Sequence, residues 1–416
     1  MNPQFNNNVE RLQEDITALS ELVEQDRPLY TRRPFTTEYE QSRAWLTSEM
    51  EKAGLSVSVD AASNLIGKRV GSRPELPAIV IGSHTDSVVG GGRFDGIIGV
   101  IAGIEIARQL NEQNLEIEHT LLIVDFTAEE ASEFGISTIG SRGMVGNLSE
   151  EVLERRNHMD LQLSDGLRQL GGRPSAIQKE KKISGDIRLY LELHIEQGPV
   201  LEQTNHQLGV VTGIVGIRRF RVICDGEANH AGTTPMNMRT DALTAASEVV
   251  LSIESAATQT YHTQIVGTVG RLFVEPNASN VVPGMVTFDF ELRSLSSDLL
   301  DEVSGQIEQS IKEISSRRDI NLTIEPLSIS KSIVISEEVI DGIEYSCKEI
   351  GSSMKLPSGA GHDANQLASI APVGMIFVPS QKGISHSSEE WTDYDLVLKG
   401  INALWNSVHY FDEYYN

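Results

Sequence analysis

The chain has 416 residues, 34 lysines and arginines against 59 aspartates and glutamates, and a formal net charge of −25. That length exceeds one ordinary core and sets two domains as the expectation, while the acid excess argues against a nucleic-acid or anionic-membrane partner, which needs a basic footprint. Two widely spaced cysteines, Cys224 and Cys347, point to a reduced, cytoplasmic setting; the N-terminal MNPQFNNNVERLQEDI lacks the basic start and apolar core of a signal peptide, and the most apolar window, 97–107, is too short for a bilayer and carries Glu105.

In chain order, residues 1–54 read as mainly helical, with VERLQEDITALSEL and EYEQSRAWLTSEMEKAG amphipathic and Gly54 as a stop. Strands at 55–59 and 78–82, a helix at 97–110 and a strand at 120–126 follow. A charged, helix-rich stretch (149–182) precedes IRLYLELH, in which Ile187, Leu189, Leu191 and Leu193 face one way and Arg188, Tyr190, Glu192 and His194 the other. From about Gly213 the order becomes strand 217–224, helix 240–257, strands 264–273 and 285–293, helix 297–315 and strand 320–325. This β-α-β-β-α-β order predicts a ferredoxin-like unit. Alternation then resumes, with VGMIFV (373–378) as a buried strand. The expected architecture is α/β: a catalytic domain of residues 1–212 and 329–416 interrupted by an inserted α+β domain, 213–328.

The polar residues that stand out lie at predicted element ends, where α/β sheets expose functional groups. In HTDSVVGGGRFDG (84–96), His84 and Asp86 share a face on extended backbone. Asp86 is a candidate either to hold the second ring nitrogen of a metal-bound histidine or to steady the reacting centre. Asp95 enters from the turn, a carboxylate can bridge two metals, and the glycines at 90–92 let the backbone fold tightly; a glycine-rich turn with a capping aspartate is the plainer alternative. In DFTAEE, Glu129 and Glu130 end a strand, so that one can bind metal while the other holds a water, although adjacent glutamates are more often solvated. LHIEQG supplies His194 and KGISHSSEEW supplies His386. Together these oxygen and imidazole donors, without thiolates, suit zinc, manganese or cobalt, and two such ions polarise a carbonyl and activate water. His119, His158, His206, His262 and His409 read as surface or capping residues.

The motifs HTDSVVGGGRFDG, FTAEEASEFGISTIGSRGM, LELHIEQGPVLE, ANHAGTTPMNMRTDAL, NASNVVPG, SGAGHDA and SHSSEEW resemble, in this order, those of the N-carbamoyl-L-amino-acid hydrolase and allantoate amidohydrolase family, within the dizinc aminopeptidase and aminoacylase superfamily. The resemblance spans about 35–409. It implies a mixed-sheet dizinc aminopeptidase-like catalytic domain with an inserted ferredoxin-like lid that also dimerises. It implies two divalent metal ions per subunit, one held by His84, Asp95 and His194, with Asp95 bridging to a second held by Glu130 and His386. Glu129 is then the general base that passes a proton to the leaving nitrogen, and Asp86 its support. Gln197, His230, Asn280 and Arg293 match substrate-binding positions, and Gly361 lies in a loop, GAGHD, expected to close the pocket beside His362. Arg293 offers a fork of donors for a substrate carboxylate, and His230 a group for the oxyanion. In the family this histidine reaches the partner subunit's site, which implies a homodimer.

One departure stands beside the metal motif: where relatives often read EEGxRF, this chain has Ala131 and Glu133 in EEASEF. It puts substrate choice, not reaction class, in doubt. The expected activity is metal-dependent cleavage of the carbamoyl C–N bond of an N-carbamoyl-L-amino acid to amino acid, ammonia and carbon dioxide. Allantoate hydrolysis is the runner-up. Action on another N-acyl or peptide substrate, or a silent relative that only binds, comes behind.

Overall fold

A computed structural model describes residues 5–130, 133–259 and 265–415. Ala131, His262 and the first residue of the strand expected at 264–273 lie outside the described residues. The chain forms two compact units: Met1–Thr212 with Ile335–Asn416, and Gly213–Val334.

The strands are β1 (Ser56–Val59), β2 (Leu65–Arg69), β3 (Ala78–His84), β4 (Leu121–Phe126), β5 (Ile187–Ile195) and β6 (Leu208–Ile214). They continue with β7 (Gly216–Asp225), β8 (Asn229–His230), β9 (Ile265–Glu275), β10 (Val281–Val282) and β11 (Met285–Ser294). The last are β12 (Asn321–Ser330), β13 (Ile333–Val334), β14 (Ser353–Ser358) and β15 (Val373–Val378).

In the first unit the sheet runs β1-β2-β4-β3-β5-β15-β6, and β14 pairs with β6. Its centre, β4-β3-β5-β15, is parallel, and the flanks β1, β2 and β6 are antiparallel to their neighbours. Parallel strands send all their carboxyl ends to one edge, so the segments after β3, β4, β5 and β15 converge there. β3 is buried along its whole length, which explains its unbroken AIVIG run. Both faces of IRLYLELH are covered: β5 sits between β3 and β15, and of its nine residues only Arg188 is exposed. Tyr190, Glu192 and His194 form a buried polar face, where Tyr190 Oη donates to Glu192 Oε2 (2.9 Å) and Ser83 Oγ to Glu192 Oε1 (2.8 Å).

The helix Ile97–Glu112 is buried from Ile97 to Leu110. It lies tight against the sheet at Gly99, where an added Cβ would meet the Leu193 carbonyl oxygen and Ser83 Cβ at 2.6 Å. Its two buried charges are answered by ions from the N-terminal helices: Arg108 pairs with Asp15 (2.5 Å) and Glu49 (2.6 Å), and Glu105 with Arg11. β2 was not expected from the sequence. Its LIGKR has a glycine and two charges in five residues, and only pairing to β1 and β4 holds it extended. The stretch 149–182 resolves into short helices, Glu150–Leu153, Leu163–Gln169 and Ile177–Glu180.

The second unit is a four-stranded antiparallel sheet, β12-β7-β11-β9, with helices Ala242–Gln259 and Ser297–Arg318. Its element order and strand order are those of a split β-α-β-β-α-β fold. Val286, Phe288, Phe290 and Leu292 of β11 join Val222, Val249 and Ile307 in its core. The Ser296 side chain caps the second helix by accepting from Leu299 N. Both cysteines are free and buried. Among the described residues no helix is long and apolar enough to cross a membrane.

Gly99→Ala places a methyl group between helix and sheet. Overpacking of this kind costs about 1–3 kcal/mol, so thermal unfolding should show a clear fall in Tm. An unchanged Tm would mean that the helix does not bear on the sheet at this point.

Candidate metal centre

His84 is the last residue of β3, and Glu129 and Glu130 follow β4. His194 is next to last in β5, and Ser385 and His386 lie in the loop after β15. Asp95 immediately precedes Gly96, the N-cap of the helix Ile97–Glu112. Gly96 is left-handed (φ +70°), and a Cβ there would fall onto the His84 ring; any other residue would both strain the turn and displace that ring.

Two histidines are set in the same way. His84 Nδ1 lies 3.0 Å from the Asp86 carbonyl and His194 Nδ1 lies 2.9 Å from the Ile195 carbonyl. A carbonyl only accepts, so each Nδ1 carries the proton and each Nε2 offers a lone pair. His194 Nε2 stands 3.1 Å from Asp95 Oδ1 yet has no aligned hydrogen bond among the described residues. His386 Nε2 lies 3.1 Å from both Asp95 Oδ2 and Glu130 Oε1. Asp95 thus turns one oxygen to each histidine. His84, Asp95 and His194 bring ligand atoms within 4.8 Å of one another, and so do Asp95, Glu130 and His386.

A lone pair facing a carboxylate oxygen is stable only with a proton or a cation between them, and both clusters carry the donors for a cation. Burial pushes Glu129 well above the usual carboxylate range, with Asp363, Glu130 and Asp86 adding to the effect. Burial also raises Asp86 to about 6. Burial alone would raise Asp95, but a positive charge on the facing rings of His194 and His386, supplied here by protonation, holds it well below its ordinary value. Contacts with Asp95 and Glu130 lift His386 to about 11. The residues fit a pair of divalent ions bound by nitrogen and oxygen.

Asp86 works through the main chain. Its Oδ1 accepts from Glu129 N (3.0 Å) and its Oδ2 from Glu130 N (3.1 Å), which fixes the two glutamates after the left-handed Ala128 (φ 54°). His84 Nδ1 meets the Asp86 backbone oxygen, while the carboxylate is 3.7 Å away. Gln197, also left-handed (φ 59°), donates its amide to Asp95 Oδ2 (2.9 Å), and its Oε1 has no partner among the described residues. Glu192, His194 and His362 form a further donor group. His194 has one lone pair to give, however, and Asp95 already faces it. Asp363, which accepts from Ser141 Oγ (2.5 Å), and Gly361 lie on either side of His362 in the 359–363 loop.

In the second unit β8 pairs with β10, placing His230 opposite Val281, and the Asn280 carbonyl accepts from Ala231 N. His230 and Asn280 are therefore neighbours. His230 Nδ1 accepts from Gly232 N (3.0 Å) and Thr233 N (3.2 Å), so Nε2 bears the proton. Arg293, near the end of β11, contacts Glu291 (2.7 Å).

Glu133 is tied to Arg33 (2.6 Å), His158 (3.0 Å) and Asn157 (3.1 Å). It borders a cavity of about 110 Å³ whose walls include Phe35, Val88, Glu130, Phe134 and Leu161. Two histidines read as surface or capping are buried: His119 is held by Asp412 (2.9 Å), and His409 packs against Trp405. The sequence reading passed over Glu390, a buried carboxylate that accepts from Phe94 N and Asp95 N. Its only signal was a second adjacent glutamate pair. It also passed over Glu192, which the period-2 pattern had placed on the face of His194.

The family model described as peptidase family M20/M25/M40 matches residues 80–409. The chain is 40% identical over 400 residues to the N-carbamoyl-L-amino acid amidohydrolase of Geobacillus stearothermophilus, covering 96% of this chain and 97% of that protein. It is 33% identical over 376 residues to the allantoate amidohydrolase of Bacillus subtilis, covering 90% of each. The crystal structure of an amidase of the hydantoinase/carbamoylase family from Burkholderia vietnamiensis superposes with a TM-score of 0.90, at 29% identity and 98% coverage of each chain.

Asp86→Ala should free the backbone of Glu129 and Glu130 without removing a metal donor. Losing such support typically costs 10–100-fold in metal affinity or activity. Metal titration together with turnover checks this, and wild-type values for both would remove Asp86 from the site.

Proposed function

The chain belongs to peptidase family M20/M25/M40, and from that premise we propose that it is an amidohydrolase that cleaves the carbamoyl C–N bond of N-carbamoyl-L-amino acids, giving the amino acid, ammonia and carbon dioxide. The observation that carries the reading is Asp95, whose two oxygens are divided between His194 and His386 beside the buried Glu129. His84, Asp95 and His194 hold one divalent ion, and Asp95, Glu130 and His386 the other, with zinc, manganese and cobalt all suited to the donors. When bound, the ions polarise the scissile carbonyl and acidify a water.

The residues supply the proton traffic. Burial raises the proton affinity of Glu129, as a general base near neutral pH requires. It takes the proton of the attacking water and returns it to the leaving nitrogen, while Asp86 keeps its backbone in place. The second unit serves as the lid. His230, with its proton on Nε2, donates to the developing oxyanion. Arg293 engages the substrate carboxylate, and Asn280, Gln197 and Gly361 complete the pocket. The working form is a homodimer in which His230 reaches the partner subunit's site, and two buried free thiols suit a cytoplasmic location.

The test is ammonia release by manganese-reconstituted protein offered several N-carbamoyl-L-amino acids, their D-forms and allantoate. Turnover of the L-carbamoyl substrates alone supports the reading; turnover of allantoate alone replaces it with the runner-up. Glu129→Gln should retain both ions and lose about 10²–10⁴ of the turnover. Near-native rates in that variant would take Glu129 out of the mechanism.

A further inference from the structure

The loop after β15 carries a carboxylate with no part in the proposed chemistry. Glu390 is 2% exposed, and both its oxygens are engaged. Oε1 accepts from Phe94 N (2.9 Å) and Asp95 N (3.1 Å), and Oε2 accepts from Ser385 Oγ (2.8 Å). One end of this side chain therefore grips the backbone of Asp95, and the other grips the residue before His386. The fit is close enough to dictate sequence: a Cβ on Gly92 would fall inside the Glu390 carboxylate. Ser385 Oγ also lies 3.3 Å from Asp95 Oδ2, so the contacts form a closed loop through backbone, hydroxyl and carboxylate.

The two ion positions lean on this loop unequally. His84 and His194 sit on strands, pinned through Nδ1, with side chains 3% and 1% exposed. His386 is 46% exposed, left-handed (φ 54°) and outside any strand. The β-sheet places the first pair. For the second, hydrogen bonds through Ser385, Glu390 and Gln197 tie Asp95 to the His386 segment.

We propose that Glu390 is a positioning residue that fixes Asp95 and the His386 loop in one frame, so that the ion position formed by Asp95, Glu130 and His386, two of whose donors hang on this frame, depends on it far more than the position formed by His84, Asp95 and His194, which keeps two strand-held histidines. The inference rests on the two-ion reading of the site. Its basis is hydrogen bonding rather than charge. In Glu390→Gln the amide oxygen can still accept from Phe94 and Asp95, and the amide nitrogen can donate to Ser385 Oγ, which is then free to donate to Asp95.

The experiment is calorimetric titration of metal-free, full-length protein with Mn²⁺ alone, with metal content measured after dialysis, so that no substrate enters. The wild type and Glu390→Gln should each take two ions with similar affinities. Glu390→Ala should keep one ion close to native affinity and bind the second roughly 10–100-fold more weakly. Two unaltered sites in Glu390→Ala would overturn the proposal, and so would a loss in Glu390→Gln as large as that in the alanine variant. Should Glu390→Ala fail to fold, Ser385→Ala cuts one arm of the clamp and is read the same way: selective weakening of the second ion supports the clamp, and wild-type titration overturns it. A wild type that binds only one ion would instead sink the two-ion reading itself.

Discussion

Several carboxylates are confined at the carboxyl ends of the parallel strands in one mixed sheet, and their mutual repulsion is the constraint on which the rest of the site depends. Desolvation opposes ionisation of each one, and a neighbour of like charge opposes it further. The fold answers with fixed donors. Asp86 receives two backbone N–H groups and Glu390 receives two more with a hydroxyl. Asp125, beneath the edge, receives Thr85 Oγ1 (3.0 Å) and stands 3.4 Å from Arg43. The buried Arg32 gives its guanidinium to the carbonyls of Thr85 (2.7 Å), Leu19 and Leu22, and its backbone N–H to Ser87. It thereby holds the chain on both sides of Asp86 and brings a positive charge close to it. What these donors leave unanswered is the pair of clusters around Asp95, whose nitrogen and oxygen donors could each hold a metal ion.

This arrangement gives the glycines of the 84–96 segment separate duties. Gly96 bends the chain in a left-handed turn and clears the His84 ring, whereas Gly92 clears the Glu390 carboxylate. Each duty arises from a side chain distant in sequence or on the far side of the turn. The buried face of β5 follows the same logic. Its Tyr190, Glu192 and His194 alternate with leucines as in a half-exposed strand, yet they face a polar interior that runs to the ligands. The second unit keeps His230 and Arg293 apart from its core. Alternation on β11 buries Phe288 and Phe290 and leaves Arg293 with Glu291, while His230 occupies the two-stranded β8–β10 element.

Much of this was legible in the chain. VGMIFV and the apolar run of β3 are buried strands, as short unbroken apolar runs of their length suggest, and their parallel pairing came only with the fold. The β-α-β-β-α-β order after Gly213 follows from alternation and helix length, and the donors His84, Asp95, Glu130, His194 and His386 lie in motifs at predicted strand ends. The failures are equally particular. LIGKR has no strand signal, and β1 and β4 hold it in place. His119 and His409 carry no local mark of burial. Glu390 looks like half of a solvated acidic pair until Phe94 and Asp95, nearly three hundred residues earlier, close over it. Glu129 and Glu130 are indistinguishable by composition, and only the direction each side chain takes after Ala128 separates the one beside His386 from the one beside His84.

By itself the sequence determined which elements form and which chemical groups stand at their ends, because periodicity, turn residues and donor type are local properties. The tertiary structure decided which oxygen of Asp95 meets which histidine, that Asp86 acts on the backbone of Glu129 and Glu130, and that Glu390 joins two loops. Those facts depend on the order β4-β3-β5-β15 and on contacts between residues hundreds of positions apart. Local pattern carries no record of such distances, and they exist only once the sheet has brought its strand ends together.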